Sequence, residues 1–318
     1  MAVYTHVSAE ALGAFLARYD CGALVSAKGI AEGVENSNYL VDTTTGRFIL
    51  TLYEKRVDTS DLPFFFAMLD HLAARGSPVP PAIKDRAGQA IQHLAGRAAC
   101  LIKFLSGVSL STPTPAQALA AGKALGEMHA GLADFTMVRP NTLGVDDWRP
   151  LLDQCGRAMD EIQPGLFDRV SAALGTVETQ WPRDLPVATI HADLFPDNVL
   201  MLGDQVTGLI DFYFACTDIR AYDLAVMHSA WAFDADGLPL DAGVGRGIVA
   251  GYDAAHGLSG AERAVLPILA QGACIRFLLT RAWDWLNTPA DALVTRKDPL
   301  AYLRRLDTYT EQGTTIFA

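Results

Sequence analysis

The sequence predicts an α+β chain in two parts. About the first 105 residues are rich in β-strands, and the remainder is mostly helical with a small β insert. Three observations predict this. Short apolar runs punctuated by turn residues dominate before Leu105, apolar residues at helical spacing dominate after Pro115, and two short apolar runs, Val187–Ile190 and Val206–Ile210, interrupt the helical part. With 318 residues, two domains are the natural count. Their expected bounds are residues 1–105 and 106–318.

Taken in order, Ser8 is an N-cap for a helix marked by Leu12, Phe15, Leu16 and Tyr19. A polar, glycine-containing stretch from Lys28 to Asn38 follows and reads as a loop. Tyr39–Asp42 and Arg47–Tyr53, separated by a turn containing Gly46, read as an antiparallel hairpin. Phe65, Met68, Leu69 and Leu72 mark a second helix. A second hairpin is expected around Asp85–Gly88, between Ala82-Ile83 and Ala90-Ile91, and Ala98–Leu105 is a further strand ended by Ser106-Gly107. Past Pro115, the residues Leu119, Gly122, Leu125, Gly126, His129 and Leu132 mark a long, closely packed helix. Further helices are expected near Leu151–Met159 and from about Glu262 to Leu286.

Half of the residues are hydrophobic, too many for a disordered chain and enough for a sizeable core. The formal net charge of −11 repels nucleic acid and anionic lipid. It also repels free nucleotide, so a nucleotide site would need a cation such as Mg²⁺ or a cluster of backbone donors. No uninterrupted apolar run approaches bilayer-spanning length; Phe64–Leu69 stops at Asp70. The opening MAVYTHVSAE has no basic segment followed by an apolar one, so no targeting segment is expected. Cys21, Cys100, Cys155, Cys216 and Cys274 have no metal or redox spacing, which fits small buried hydrophobes and a cytoplasmic location.

The chemistry concentrates in two stretches. Residues 191–200 read HADLFPDNVL, and residues 208–213 read GLIDFY. Phosphoryl transfer needs a carboxylate beside the attacking hydroxyl and oxygen ligands that hold Mg²⁺ against the phosphates. A loop of form H-x-D-x-x-x-x-N followed by a strand ending in Asp-Phe supplies them. Asp193 would orient the nucleophile and accept its proton. Asn198 and Asp211 would offer oxygens to the metal. A chain running along Val199–Leu202, turning at Gly203-Asp204 and returning along Val206–Ile210 brings Asn198 and Asp211 to the same end. Taken singly, each segment is also ordinary turn chemistry; it is the pair at this separation that favours a site. His191 is read as a structural residue that holds the loop backbone.

These stretches, with Glu32–Val41, Leu50–Arg56, Ala221–Ala225 and Arg276–Arg281, resemble the aminoglycoside phosphotransferase-like kinases, and within them the homoserine kinase branch. The resemblance runs essentially end to end. It implies a two-lobed protein-kinase-like fold, with a β-sheet N-terminal lobe, a mostly helical C-terminal lobe and ATP in the cleft. It further implies that Gly29–Asn38 covers the nucleotide phosphates, with Gly29, Gly33, Asn36, Ser37 and Asn38 as nucleotide-binding residues, and that Lys103, Phe104 and Leu105 meet the adenine. Departures are visible. Thr51 stands where a strand lysine is usual, with Lys55 and Arg56 just beyond; Ala192 replaces a common glycine, and Tyr213 follows Asp-Phe. The acidic partner on the following helix is open between Asp61 and Asp70, and both read more readily as surface charges.

A small zwitterionic acceptor needs a cation for its carboxylate, and an arginine fork suits one. Arg276 and Arg281 on a late helix meet that need, although a salt-bridged helix face explains them as well; Phe195, Tyr213 and Asp218 are further substrate-contact expectations, with Asp223 and Trp231 beside them. The resulting expectation is ATP- and Mg²⁺-dependent phosphorylation of the L-homoserine hydroxyl in threonine synthesis, by a monomer or homodimer acting on a small molecule, without nucleic-acid or membrane partners. A related kinase for choline, an aminoglycoside or another alcohol is the second reading, with Trp231, Trp283 and Trp285 as possible cage residues for choline. An inactive nucleotide-binding module, motivated by Thr51, is the third.

Overall fold

The computed structural model describes residues 5–30, 36–54, 58–288 and 296–318. The chain divides into two compact units, Met1–Ser106 and Gly107–Ala318.

In the first unit, α1 (Ala9–Leu16) begins at Ser8, whose Oγ accepts the Ala11 N–H, and presents Leu12, Phe15 and Leu16 to the core. The strands β1 (Leu24–Ile30), β2 (Asn36–Thr43), β3 (Arg47–Tyr53), β4 (Ala82–Ile83), β5 (Gln92–Leu94) and β6 (Arg97–Lys103) form one antiparallel sheet, with α2 (Leu62–Ala74) between β3 and β4 in the chain. The order is β1-β2-β3-β6-β4, and β5 pairs with β6. Side chains alternate as the pleat requires. Leu50 and Leu52 join Tyr39, Val41, Leu101 and the α1 residues in one buried cluster. On the opposite face Tyr53 meets Cys100 at 3.1 Å.

Three expectations change here. Leu24–Ile30 is an edge strand that the sequence did not suggest; both its faces are largely exposed, so it lacks the apolar alternation by which a strand is read. As a result Gly29 and Asn36–Asn38 lie in paired strands rather than in a loop, with Gly29 opposite Tyr39 and Asn38 opposite Ile30. Gly33 lies outside the described residues, as do Lys55 and Arg56. The turn at Asp85–Gly88 forms, closed by Gly88 N–H to Asp85 C=O, but Ala82-Ile83 pairs with β6 instead of Ala90-Ile91. The second hairpin is β5–β6, turning through Ala95 and Gly96, both at positive φ.

The second unit contains α3 (Pro115–Gly131), α4 (Val145–Cys155), α5 (Leu166–Gln180), α6 (Arg220–Trp231), α7 (Ala242–His256), α8 (Gly260–Asn287) and α9 (Leu300–Gln312). Two small sheets lie between α5 and α6 in the chain. Strand β7 (Val187–Ile190) pairs with β10 (Cys216–Ile219), and β8 (Val199–Leu202) pairs with β9 (Gln205–Leu209), all antiparallel. Helices α3 and α8 start in capping boxes, Thr114 with Gln117 and Ser259 with Glu262. Helices α3 and α7 approach backbone to backbone. A Cβ on Gly122 would lie 2.2 Å from the Ile248 oxygen, and one on Gly251 would lie 2.1 Å from that of Leu119.

Helix α8 has 28 residues and is apolar enough, by length and composition, to cross a bilayer, although none of its uninterrupted apolar runs approaches that length. Leu269, Ala273, Cys274, Leu278 and Leu279 are fully buried, so much of that apolarity forms the core of this unit. All five cysteines are buried and unpaired.

Candidate active site

The site is built on the β8–β9 hairpin. Val199 pairs with Leu209, and the Ile210 N–H bonds the Asn198 carbonyl at 3.0 Å. Two residues thirteen apart in sequence thus stand at one end of a two-stranded ribbon. Asp211 follows in the left-handed region (φ 64°, ψ 58°), which turns the chain out of the strand and into the short turn Phe212–Phe214. Asn198 is itself oriented. Its Nδ2 donates to the Asp193 carbonyl at 2.8 Å, which leaves Oδ1 as its unused acceptor.

The loop carrying Asp193 is held from several sides. Asp223, fully buried on α6, accepts the His191 N–H (2.7 Å) and the Ala192 N–H (2.8 Å). Its Oδ2 also meets His129 Nε2 of α3 at 2.9 Å, and His129 Nδ1 meets the Tyr252 hydroxyl of α7 at 2.8 Å. The close glycine-lined approach of α3 and α7 makes that last contact possible. Burial alone would raise the Asp223 carboxyl, but the hydrogen bond and charge of His129, helped by His191, hold it below the ordinary carboxylate value.

Ala192 has φ 61°, a strained position for alanine. Asp223 grips its N–H, and Arg276 Nη1 donates to its carbonyl at 2.5 Å. The residue read as a mild replacement of glycine is therefore clamped on both sides. His191 behaves as expected. Its Nδ1 accepts the Asp193 N–H at 3.3 Å, so Nε2 carries the proton and donates to the Ile210 carbonyl at 3.0 Å, tying the loop to the end of β9. Burial keeps this imidazole neutral by pushing its pKa down. Trp231 Nε1 adds a bond to the Leu194 carbonyl at 2.9 Å.

The Asp193 side chain is half-buried, and its carboxyl is pushed well above the ordinary value. Burial is the main cause; Arg276 opposes it, while Asp211 and Asp197 add to it by repulsion. Among the described residues no cluster of three His, Cys, Asp or Glu side chains forms a metal cage. Asn198 Oδ1 and the Asp211 carboxylate are hard oxygen donors, and a divalent ion held by them needs further oxygens from a nucleotide. The crowding of Asp193, Asp197 and Asp211 is the electrostatic counterpart: a cation would relieve it. The donor set fits Mg²⁺.

The other expected residues fall differently. Phe195 packs edge-on against Phe277, centroids 4.9 Å apart. Arg276 is buried, lies over the Phe214 and Phe277 rings and bonds the main chain, so it holds the loop and has no free face for a substrate carboxylate. Asp218 uses both oxygens locally, on Asn141 Nδ2 (2.6 Å) and on the Ile219 N–H (2.6 Å). Asp223 and Trp231 lie beneath the loop and line no substrate pocket. Trp231 is fully buried while Trp283 is exposed, which leaves no basis for a tryptophan cage. Arg281 is half-buried and donates to the Asp298 carbonyl at 3.1 Å. Tyr213 lies in the turn after Asp211.

In the first unit the side chains of Asn36, Ser37 and Asn38 are engaged within the sheet. The Ser37 hydroxyl donates to Glu54 (2.8 Å), the Glu54 N–H reaches Asn36 Oδ1 (3.4 Å), and Asn38 Oδ1 accepts the Thr51 hydroxyl (2.8 Å). Asp70 pairs with Lys84 at 2.8 Å as a surface ion pair, and Asp61 precedes the first turn of α2. Lys103 ends β6, its N–H bonded to the Pro81 carbonyl, and Phe104 and Leu105 follow.

Sequence reading missed the roles of Asp223, His129 and Arg276. A signal existed for two of them: Asp223 and Arg276 are lone charges inside otherwise apolar helical stretches, and a buried charge is kept only when it is paired.

Residues 26–258 match the family described as "Phosphotransferase enzyme family". The chain belongs to this phosphotransferase family. Among curated relatives, a homoserine kinase of Xanthobacter autotrophicus is 52% identical over 306 residues, covering 96% of this chain and 95% of that one. A homoserine kinase of Methylorubrum populi is 55% identical over 306 residues, with the same two coverages. Among solved structures, an amicoumacin kinase in complex with AMP-PNP and Ca²⁺ superposes with a TM-score of 0.70 at 14% identity, covering 98% of this chain and 96% of that one. A spectinomycin phosphotransferase in complex with ADP gives 0.66 at 14% identity, covering 98% of both. At these identities the structural matches establish the kinase-like fold alone. The phosphotransferase family and the curated kinases make the chain an ATP-using enzyme with a small-molecule acceptor.

Proposed function

We propose that the chain transfers the γ-phosphoryl group of ATP to the hydroxyl of L-homoserine. The observation that carries the choice of acceptor is identity of 52–55% to curated homoserine kinases over 96% of the chain. The β8–β9 hairpin supports the reaction class.

Asp193 accepts a hydrogen bond from the homoserine hydroxyl and takes its proton as the oxygen attacks phosphorus. Asn198 and Asp211 hold Mg²⁺, which neutralises charge on the phosphates when bound. A cation there also lowers the Asp193 pKa, by countering the repulsion from Asp211 and Asp197. His191, Asp223 and Arg276 keep the loop geometry fixed, so little reorganisation accompanies transfer. In the first unit, nucleotide contacts fall to the segment Gly29–Asn38 towards the phosphates, as the family resemblance implies, and to the main chain of Lys103–Leu105 towards the adenine. Phe195 and Tyr213 flank the acceptor. The five unpaired, buried thiols support a cytoplasmic setting.

The test is ADP release in Mg·ATP with L-homoserine beside choline, L-serine and kanamycin. Release with homoserine alone is expected. Release with another alcohol instead would keep the reaction and discard the acceptor; no release with any would favour a nucleotide-binding module. Asp211→Ala is expected to weaken nucleotide binding in Mg²⁺ and to leave Mg²⁺-free binding unchanged. Equal affinity of variant and parent in a Mg²⁺ titration would remove Asp211 from the metal site.

A further inference from the structure

Arg305 of α9 is a buried cation that the chemistry above does not use. A guanidinium taken out of water is costly unless its donors are met. Here they go to the main chain, Nη1 to the Ser229 carbonyl (2.9 Å) and Nη2 to the Asp234 carbonyl (2.7 Å). The group also lies over the rings of Tyr302 and Phe233, 4.3 and 5.6 Å from their centroids. Ser229 is in the last turn of α6, where carbonyls have no partner further along the helix and the dipole favours a cation. Arg305 therefore holds the chain on both sides of Trp231, and Trp231 reaches the catalytic loop.

Helix α6 grips that loop at two points. Near its start, Asp223 accepts the His191 and Ala192 N–H groups. About two turns further along the helix, Trp231 is fully buried and donates from Nε1 to the Leu194 carbonyl at 2.9 Å. The two grips fall on opposite sides of Asp193 in the chain. The direction of a side chain follows from the peptide planes on either side of its Cα. Arg276 fixes the plane before Asp193 through the Ala192 carbonyl. After Asp193, the Phe195 N–H turns back to the Asp193 carbonyl at 2.8 Å, which makes a three-residue turn centred on Leu194. The carbonyl of that central residue is the one Trp231 takes. Leu194 is itself fully buried, so without the indole donor its carbonyl is left unmet and the turn that follows Asp193 loses its outer support.

We propose that Trp231 is a positioning residue for Asp193, and that Arg305 acts through it by holding the end of α6 that carries the indole. The proposal rests on the reading of Asp193 as the base that receives the hydroxyl proton. It holds for whichever alcohol is the acceptor.

Trp231→Phe keeps a buried ring and removes the donor. With the full chain, Mg·ATP and L-homoserine, kcat is expected to fall by about 10- to 100-fold, the scale for a reacting group held out of line. KM for ATP and for homoserine should stay at the parent's values. Arg305→Lys keeps the charge and loses the two-pronged grip. It should lower kcat by a smaller factor, and the double variant should fall no further than Trp231→Phe alone, because one residue acts through the other. A Trp231→Phe protein that unfolds at lower urea but keeps kcat would make the indole a packing residue; the proposal would fall and the kinase reading would stand. A rise in KM with kcat unchanged would move Trp231 to substrate binding and also overturn it. Factors in kcat that multiply in the double variant would remove Arg305 from the path. If the parent phosphorylates neither homoserine nor the other alcohols, the underlying reading fails and the proposal goes with it.

Discussion

In the first unit the polar side chains nearest the middle of the sheet bond one another: Thr51 with Asn38, and Ser37 with Glu54, which also accepts the Thr5 hydroxyl and pairs with Arg97. In the second unit they bond the backbone of one loop: Asp223 to the amides of His191 and Ala192, Arg276 to the Ala192 carbonyl, Asn198 to the Asp193 carbonyl, Trp231 to the Leu194 carbonyl. The first arrangement stabilises a sheet. The second fixes the direction of a single carboxylate, that of Asp193. The difference accounts for Thr51: a strand whose side chains serve each other carries no cation at its centre, and such a cation, where used, comes from elsewhere.

The comparison breaks first at Asp193. Asp193→Asn should lower turnover by about 10²–10⁴-fold, the range for a lost general base, with nucleotide binding retained in calorimetry. Retained turnover would strip Asp193 of its role. The same variant has a stability signature. The folded state keeps the Asp193 proton to higher pH than the unfolded chain does. The folded protein therefore loses stability as pH rises from the ordinary carboxylate value through the raised one. Without nucleotide or divalent ions, Asp193→Asn should melt higher than the parent above that window, and the two should converge below it. A constant difference at all pH values would deny the raised pKa.

Asp223→Ala should come next. It leaves two buried amides and His129 without their acceptor, and a loss of about 3–5 kcal/mol is expected in urea unfolding, together with reduced kcat. Because the Asp223 pKa is depressed, its contribution is present above the ordinary carboxylate value and is lost as pH falls through the depressed one. An unfolding midpoint equal to the parent's would mean the loop holds itself.

The smallest effect is expected at Thr51. Thr51→Val keeps the shape and removes the donor to Asn38, costing about 1–3 kcal/mol of stability with unchanged kcat and KM for ATP. A marked rise in KM for ATP would show that sheet side chains do serve the nucleotide, and the contrast between the units would need revision.

Much of this was legible because it is local. The β8–β9 hairpin follows from two apolar runs and Gly203-Asp204 at their junction, and the convergence of Asn198 and Asp211 follows from the hairpin. The α1 cap is written in Ser8 and its neighbours. What failed was non-local. The Asp85–Gly88 turn is correct as a turn, but the strand before it pairs with β6, whose claim on Ala82-Ile83 no nearby residue announces. Strand β1 is held by pairing along one edge and buries too little to leave an apolar pattern.

The sequence by itself determined the reaction class and the convergence of Asn198 and Asp211, because a hairpin of adjacent apolar runs and the turn between them sets that pairing locally. Only the tertiary structure decided what Arg276 and Asp223 are for. Their environments are assembled from α3, α6, α7, α8 and the catalytic loop, tens of residues apart or more. Whether a charge is buried against a carbonyl, shared among amides or left facing solvent depends on those neighbours and not on the residues beside it in the chain.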